Sequence, residues 1–209
     1  MNDKKTMIER DLKGRDIVNE RVLQAMEDVN RETFVPEGLK YRAYQDSPLP
    51  IGMKQTISQP YIVAYMAQIL DPRPHEKILE VGSGCGYNAA VLAYLSSHVY
   101  SIEVIEWLAD LAKVNLKEAG VKNVTVIHGD GLHGWPEKAP FDKIILTAAT
   151  PEIPDQLKDQ LIIGGKLLAP VSNSFQKLIL LEKTGRNEFK EHELIYVSFV
   201  PMTGESQKE

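Results

Sequence analysis

The sequence predicts an α/β protein on a mostly parallel, doubly wound sheet that finishes in antiparallel strands. Short apolar runs alternate with helix-period segments between about residues 61 and 147, and a glycine-rich turn joins the first of these strands to its helix. Past Pro154 the helical segments give way to strand-like runs around a hairpin turn. The 209 residues, 43% of them apolar, suffice for one substantial core. One domain is therefore expected over 1–209, with a helical and loop cap at 1–70 and the sheet at 71–209.

Taken in order, Met1 to Arg10 is polar and charged and receives no element. Ile17, Val18, Val22, Met26 and Val29 recur at three- and four-residue spacing and predict an amphipathic helix over 16–29. Phe34-Val35-Pro36 must break it. Residues 46–60 hold three prolines and a glycine and follow neither regular period, so they predict an ordered, functional loop. A helix is expected at 61–70, a strand at 77–81, a helix at 87–95 and a strand at 98–103. Ile105, Leu108, Ala109, Ala112 and Leu116 share one face of the next helix, which Gly120 caps. Strands follow at 123–128 and 142–147. The later runs at 165–170, 177–182 and 193–200 are strand-like, with a turn at 184–187.

Composition excludes several classes of function. The net charge is −5, from 24 basic and 29 acidic residues dispersed along the chain, so no footprint for nucleic acid is visible. No run approaches the ~20 apolar residues of a membrane span, and a soluble, cytoplasmic protein is expected. The lone cysteine, Cys85, rules out an internal disulfide and any multi-thiolate metal site. The histidines at 75, 98, 128, 133 and 192 lack HExxH or close-paired spacing, and no catalytic metal is expected.

The strongest motif is Glu80-Val81-Gly82-Ser83-Gly84-Cys85-Gly86-Tyr87, between a strand and a helix. Glycines there let the backbone turn sharply and approach a ligand, although a structural turn would use them too. Glu103 ends the next strand, where a carboxylate can accept from both ribose hydroxyls, or simply stand solvated. Gly129-Asp130-Gly131 closes the strand after that; it is either a plain turn or a place where Asp130 accepts from an exocyclic amine. GxGxxG and P-loop patterns are not matched, so no pyrophosphate cradle is implied. The E-x-G-x-G-x-G form resembles motif I of the Rossmann-like S-adenosylmethionine methyltransferases, whose cofactor carries no phosphate. Cys85 reads as a small side chain lining that loop rather than a redox centre.

On the acceptor side, the strand ending at Leu146-Thr-Ala-Ala-Thr-Pro151 lacks the Asn/Asp-Pro-Pro-Tyr/Phe pattern that methylation of an exocyclic amine needs. A carboxylate is already ionised at neutral pH and requires neither base nor metal, only donors to hold it. Gln55, Thr56 and Ser58 supply donors in an otherwise apolar segment; alternatively Thr56 and Ser58 cap the helix that starts near Pro60.

Phe34-Val-Pro36, Ala43-Tyr44, Pro48-Leu-Pro-Ile-Gly52 and Gln55-Thr-Ile-Ser-Gln-Pro60, followed by the glycine motif, resemble the protein-L-isoaspartate O-methyltransferase family from about Val22 to Gly165. Val200-Pro-Met-Thr203 is similar to the family's Val-Pro-Leu-Thr. The resemblance implies Ser58 as the catalytic residue. It implies cofactor contacts from Gln55, Thr56, Ile57, Glu80, Gly82, Ser83, Gly84, Cys85, Glu103, Asp130, Gly131 and Thr203. It also implies methyl transfer from S-adenosyl-L-methionine to isoaspartyl residues of damaged proteins and peptides, leaving S-adenosyl-L-homocysteine. The chain is expected to act as a monomer. Two departures stand out: Met53-Lys54, where the family often has an aromatic or acidic residue and glycine, and Asn30, where proline is common. The rival readings are a methyltransferase of a small molecule and a catalytically silent scaffold of the same fold.

Overall fold

The computed structural model of the chain describes residues 3–172 and 174–204. Among them nine strands form two sheets. β1 (Leu49–Gly52) and β2 (Gln55–Ile57) make a small antiparallel hairpin. The main sheet holds β3 (Lys77–Val81), β4 (His98–Glu103), β5 (Val124–His128), β6 (Phe141–Leu146), β7 (Leu161–Ser172), β8 (Gln176–Lys183) and β9 (Phe189–Tyr196), in the order β5-β4-β3-β6-β7-β8-β9. β3 to β7 run parallel, and β8 and β9 are antiparallel, as the sequence pattern predicts.

Period-two alternation divides the core between two faces. Ile78, Ile145, Leu168, Leu178 and Leu180 point to one face, where they meet α2 (Glu20–Asp28), α3 (Pro60–Leu70), α4 (Tyr87–Leu95) and α5 (Glu106–Glu118). Leu79, Ile144, Leu146, Leu167, Ile179 and Leu181 point to the other, covered by short 3-10 turns, the five-residue α6 (Asp155–Asp159) and Met202. The long helices thus gather on one side. The first cluster also takes in Met7, Leu12, Ile17 and Phe34, so the N-terminal segment and the sheet share apolar contacts. Among the described residues no helix is long and apolar enough to cross a membrane.

Four expectations change. The polar N-terminal stretch, expected to carry no element, forms α1 (Lys4–Thr6) and wider π-helical turns at Met7–Lys13. Its apolar residues Met7, Ile8 and Leu12 are buried. The helix expected over 16–29 covers only Glu20–Asp28, because Asn19 caps it through its side chain to Arg21 N and Val22 N, leaving Val18 exposed. The final strand is Phe189–Tyr196 rather than 193–200: Val200 leaves β9 and its carbonyl accepts from Ala149 N at 2.8 Å.

Residues 46–60 are ordered, but they contain the β1–β2 hairpin where only a loop was expected. Its turn places both central residues, Met53 (φ 51°) and Lys54 (φ 58°), in the left-handed region, the pattern of a type I′ turn. Side chains resist that region by roughly 1–2 kcal/mol each, which explains the family's glycine there. Asn30, the other departure, accepts a hydrogen bond from the Tyr44 hydroxyl that proline could not accept. Lys54→Gly should therefore stabilise the protein by about 0.5–1 kcal/mol after the glycine's unfolded-state entropy is counted, raising Tm by about 1–4 °C in a thermal scan. An unchanged or lower Tm contradicts the account of this turn.

Candidate active site

In an open α/β sheet, ligands bind at the carboxyl ends of the strands where the strand order reverses. That point lies at β3, which has β4 on one side and β6 on the other, with Val81 in register with both Ile102 and Leu146. The chain leaves Val81 through a bend in which Gly82, Gly84 and Gly86 all take positive φ. Gly82 is the tightest point. At φ 99° a Cβ there would stand 2.3 Å from Thr147 Oγ1, whose hydroxyl instead donates to the Gly82 carbonyl at 2.5 Å. Gly84 N donates to Glu103 Oε2 at 2.8 Å, tying the bend to the end of β4.

Glu103 is 5% exposed, and its Oε1 accepts from Ile105 N at 3.1 Å. Each carboxylate oxygen keeps a lone pair for a further donor, so a diol could bind both. Asp130 Oδ1 accepts from Leu132 N at 2.9 Å and so caps the turn Gly131–His133. Asp130 itself stands outside the cleft lining; the backbone of Gly204 passes over it, and Gly131 presents its bare Cα to Val81.

Glu80 also does not line the cleft. It is wholly buried behind the bend, accepting from Asn88 Nδ2 at 2.8 Å and from the Ser101 hydroxyl. Ser101 Oγ lies 2.5 Å from Ser83 Oγ, so Glu80 reaches the glycine bend through a two-hydroxyl relay. Burial pushes its carboxyl up to about 7, against the pull of those hydrogen bonds. Cys85 is buried as well, and burial raises its thiol to about 11, which leaves it protonated and unreactive.

The opposite wall is the β1–β2 hairpin and the residues after it. Gln55, Thr56, Ile57 and Ser58 face Gly82, Ser83, Gly84, Cys85, Glu103, Gly131 and Thr203 across one cleft, whose empty space, open solvent at its mouth included, is about 790 Å³. Helix α3 does not use Ser58 as a cap: its N-cap position is Gln59, whose side chain makes no capping bond, and Asp46 Oδ1 accepts from Tyr61 N at 3.0 Å. No hydrogen bond engages the Ser58 hydroxyl among the described residues, while its carbonyl accepts from Arg31 Nη2 at 2.8 Å.

Asn88 and Val104 also line the cleft and stood in no quoted motif, while Tyr87, Ala148, Pro201 and Met202 line it from quoted motifs in which they were given no role. Thr147, noted only for the amine-methylation pattern it lacks, turns out to hold the glycine bend. Trp107 stands half exposed beside Gly52, and Trp135 packs edge-on to Tyr100, so neither lines the cleft.

Glu80 ties the site to pH. Its folded pKa of about 7 lies above the ordinary 4.5, so its contribution to stability is complete below about 4.5 and is lost as pH rises through about 7. Glu80→Gln removes that titration. Denaturant unfolding at pH 5 and pH 8 should show the unsubstituted protein losing on the order of 2–3 kcal/mol more than the variant over that interval. Parallel pH dependences contradict this assignment.

The chain matches the family Protein-L-isoaspartate(D-aspartate) O-methyltransferase (PCMT) over residues 2–207. It is 47% identical to the protein-L-isoaspartate O-methyltransferase of Methanothermobacter thermautotrophicus over 209 residues, covering 98% of this chain and 96% of that one. It is 50% identical to protein-L-isoaspartate O-methyltransferase 1 of Syntrophobacter fumaroxidans over 198 residues, covering 95% and 92%. A crystal structure described as a protein-L-isoaspartate O-methyltransferase of Plasmodium falciparum in complex with S-adenosyl-L-homocysteine superposes with a TM-score of 0.86, at 27% identity, over 97% of this chain and 99% of that one. With motif, cleft and full-length likeness in agreement, the chain belongs to the protein-L-isoaspartate O-methyltransferase family.

Proposed function

We propose that the chain methylates the α-carboxylate of L-isoaspartyl residues in damaged proteins and peptides, with Ser58 orienting the acceptor and the glycine bend holding S-adenosylmethionine. The observation that carries the residue assignment is the Ser58 hydroxyl: it lines the cleft opposite Gly82 and Gly84, and Asp46 relieves it of any capping duty. The cleft suits the cofactor. No lysine, arginine or histidine lines it among the described residues, which disfavours a phosphate, and its one lining carboxylic acid, Glu103, would suit a ribose diol.

When bound, S-adenosylmethionine supplies a methyl group on a sulfonium. The residues of the chain have three tasks. Gly82 to Gly84 and Glu103 hold the nucleoside and its methionine arm; Val63, Leu108 and Met202 contribute apolar wall that keeps water out; Ser58 donates a hydrogen bond to one oxygen of the incoming carboxylate. The carboxylate oxygen bonds to the methyl carbon as the carbon–sulfur bond breaks, and the electron pair goes to sulfur. No proton moves, so no base is required. The ester formed is a better leaving group than a carboxylate. The neighbouring backbone nitrogen can then displace methanol and close a succinimide away from the enzyme, and hydrolysis of that ring returns some normal aspartate.

A second groove continues from the cleft. It is lined by Pro48, Gln59, Ile62 and the segment Tyr196 to Val200, and it shares Thr56, Ser58, Thr147 and Val200 with the cofactor side. An extended peptide lying there would bring a misplaced main chain to Ser58. We assign the N-terminal 70 residues as the cap that carries this acceptor wall, and residues 71–209 as the cofactor-binding core. Action as a cytoplasmic monomer without nucleic acid or membrane is part of the same reading; the dispersed charge, −5 in total, supports the lack of a nucleic-acid surface.

Two measurements test the proposal. Ser58→Ala should lower kcat about 10- to 100-fold while the Kd for S-adenosylhomocysteine stays within about twofold; lost nucleoside binding with unchanged turnover of the bound complex contradicts the role. Labelled methyl transfer to paired peptides should give base-labile ester on the isoaspartyl form only. Equal labelling of the aspartyl form contradicts recognition of the lesion's main chain.

A further inference from the structure

Arg31 is the largest fully buried side chain among the described residues, with no exposed surface. Its guanidinium meets no carboxylate in an ion pair among the described residues. It donates instead to three backbone carbonyls, those of Ala43, of Ser47 at 3.5 Å and of Ser58 at 2.8 Å, and its Nε has no partner. Its carbon centre lies 5.5 Å from the ring of Tyr87, which opens α4 directly after the glycine bend and lines the cleft. The nearby carboxylate, Asp46, is committed elsewhere: Oδ1 accepts from Tyr61 N, and Oδ2 from Gln59 at 2.7 Å and from Arg15 at 3.5 Å. Burial pulls the guanidinium's pKa down, but arginine stays protonated in proteins.

A buried cation without a counter-ion is costly, and most folds avoid it. Here it is hydrogen-bonded to the carbonyl of Ser58, the residue that lines the cleft on the acceptor side. Neither the cleft nor the adjoining groove is lined by a cationic side chain among the described residues. An anionic substrate arriving at Ser58 would meet a positive field from behind the wall, through protein rather than water, where charge acts with little screening.

We propose that Arg31 is a positioning residue for methyl transfer: its fork fixes the Ser58 backbone and so aims the hydroxyl, and its unpaired charge makes the acceptor site select a carboxylate over a neutral group. The fork and the charge are separable. Lysine keeps the charge but, as a single point, cannot hold three carbonyls in a plane; methionine keeps the length and removes both.

The inference rests on the acceptor reading above, and the test separates the two. Calorimetry on the complex with S-adenosylhomocysteine would compare two peptides that differ only at the lesion, one with the free α-carboxylate and one with that group as carboxamide. The unsubstituted protein should prefer the carboxylate by about tenfold or more. Arg31→Met should bring the two within about twofold of each other with nucleoside affinity unchanged. Arg31→Lys should keep the preference and lower kcat about tenfold or more. A merely structural role weakens both peptides alike, and that result in Arg31→Met overturns the proposal. Loss of the preference in Arg31→Lys also overturns it, and this arm stands even if Arg31→Met does not fold. An unsubstituted protein that methylates the isoaspartyl peptide without preferring the carboxylate sinks the inference alone; one that fails to methylate it sinks the acceptor reading.

Discussion

The chain must reverse from strand to helix between Val81 and Tyr87 while wedged between the ends of β4 and β6. Sterics leave one solution. Thr147 occupies the space a side chain at position 82 would need, and the turn carries positive φ at three places, so the bend is written in glycine. The Glu103 carboxylate then locks that bend by accepting Gly84 N, and Thr147 locks it from the other flank. What remains is a surface of backbone and small side chains, rigid before any ligand arrives. Preorganisation of this kind lets a site align a nucleophile and a leaving group without paying ordering entropy during the reaction.

The acceptor wall is built differently. It comes from a hairpin and loop with little regular structure of their own, and polar contacts to buried groups give it shape. Asp46 ties the loop to the start of α3, Arg31 gathers the carbonyls of Ala43, Ser47 and Ser58, and Tyr44 reaches Asn30. Burial pushes the Tyr44 phenol up to about 12, so it remains a donor throughout the physiological range. A cleft whose one lining carboxylate is Glu103 thus faces a loop with a cation hidden behind it, an arrangement suited to bringing a sulfonium and a carboxylate together.

Much of the core could be read from periodicity. β3, α4 and β4 begin and end where the apolar pattern says, because strands buried on both faces and a helix started by glycine leave plain boundaries. The hairpin was harder: two prolines and a glycine hid its four-residue first strand, and its turn uses Met53 and Lys54 where sequence reasoning looks for Asn-Gly. The N-terminal turns escaped because only Met7, Ile8 and Leu12 mark them among charged neighbours. The glycines, Glu103 and Ser58 were visible as motif residues, but Arg31 reads in sequence as one more charge between Asn30 and Glu32. Its burial is a property of the packed loop, and no local pattern encodes it. Glu80 was visible as a residue, yet only the structure shows it standing behind the bend and acting through Ser101 and Ser83.

The most direct test of the central claim is a crystal structure of the ternary complex with S-adenosylhomocysteine and an isoaspartyl peptide. The account places the sulfur between the bend at Gly82 to Gly84 and the Ser58 hydroxyl, the ribose hydroxyls on Glu103 and the α-carboxylate within hydrogen-bond distance of Ser58. Nucleoside density away from the bend, or a carboxylate turned from Ser58 toward solvent, would contradict it.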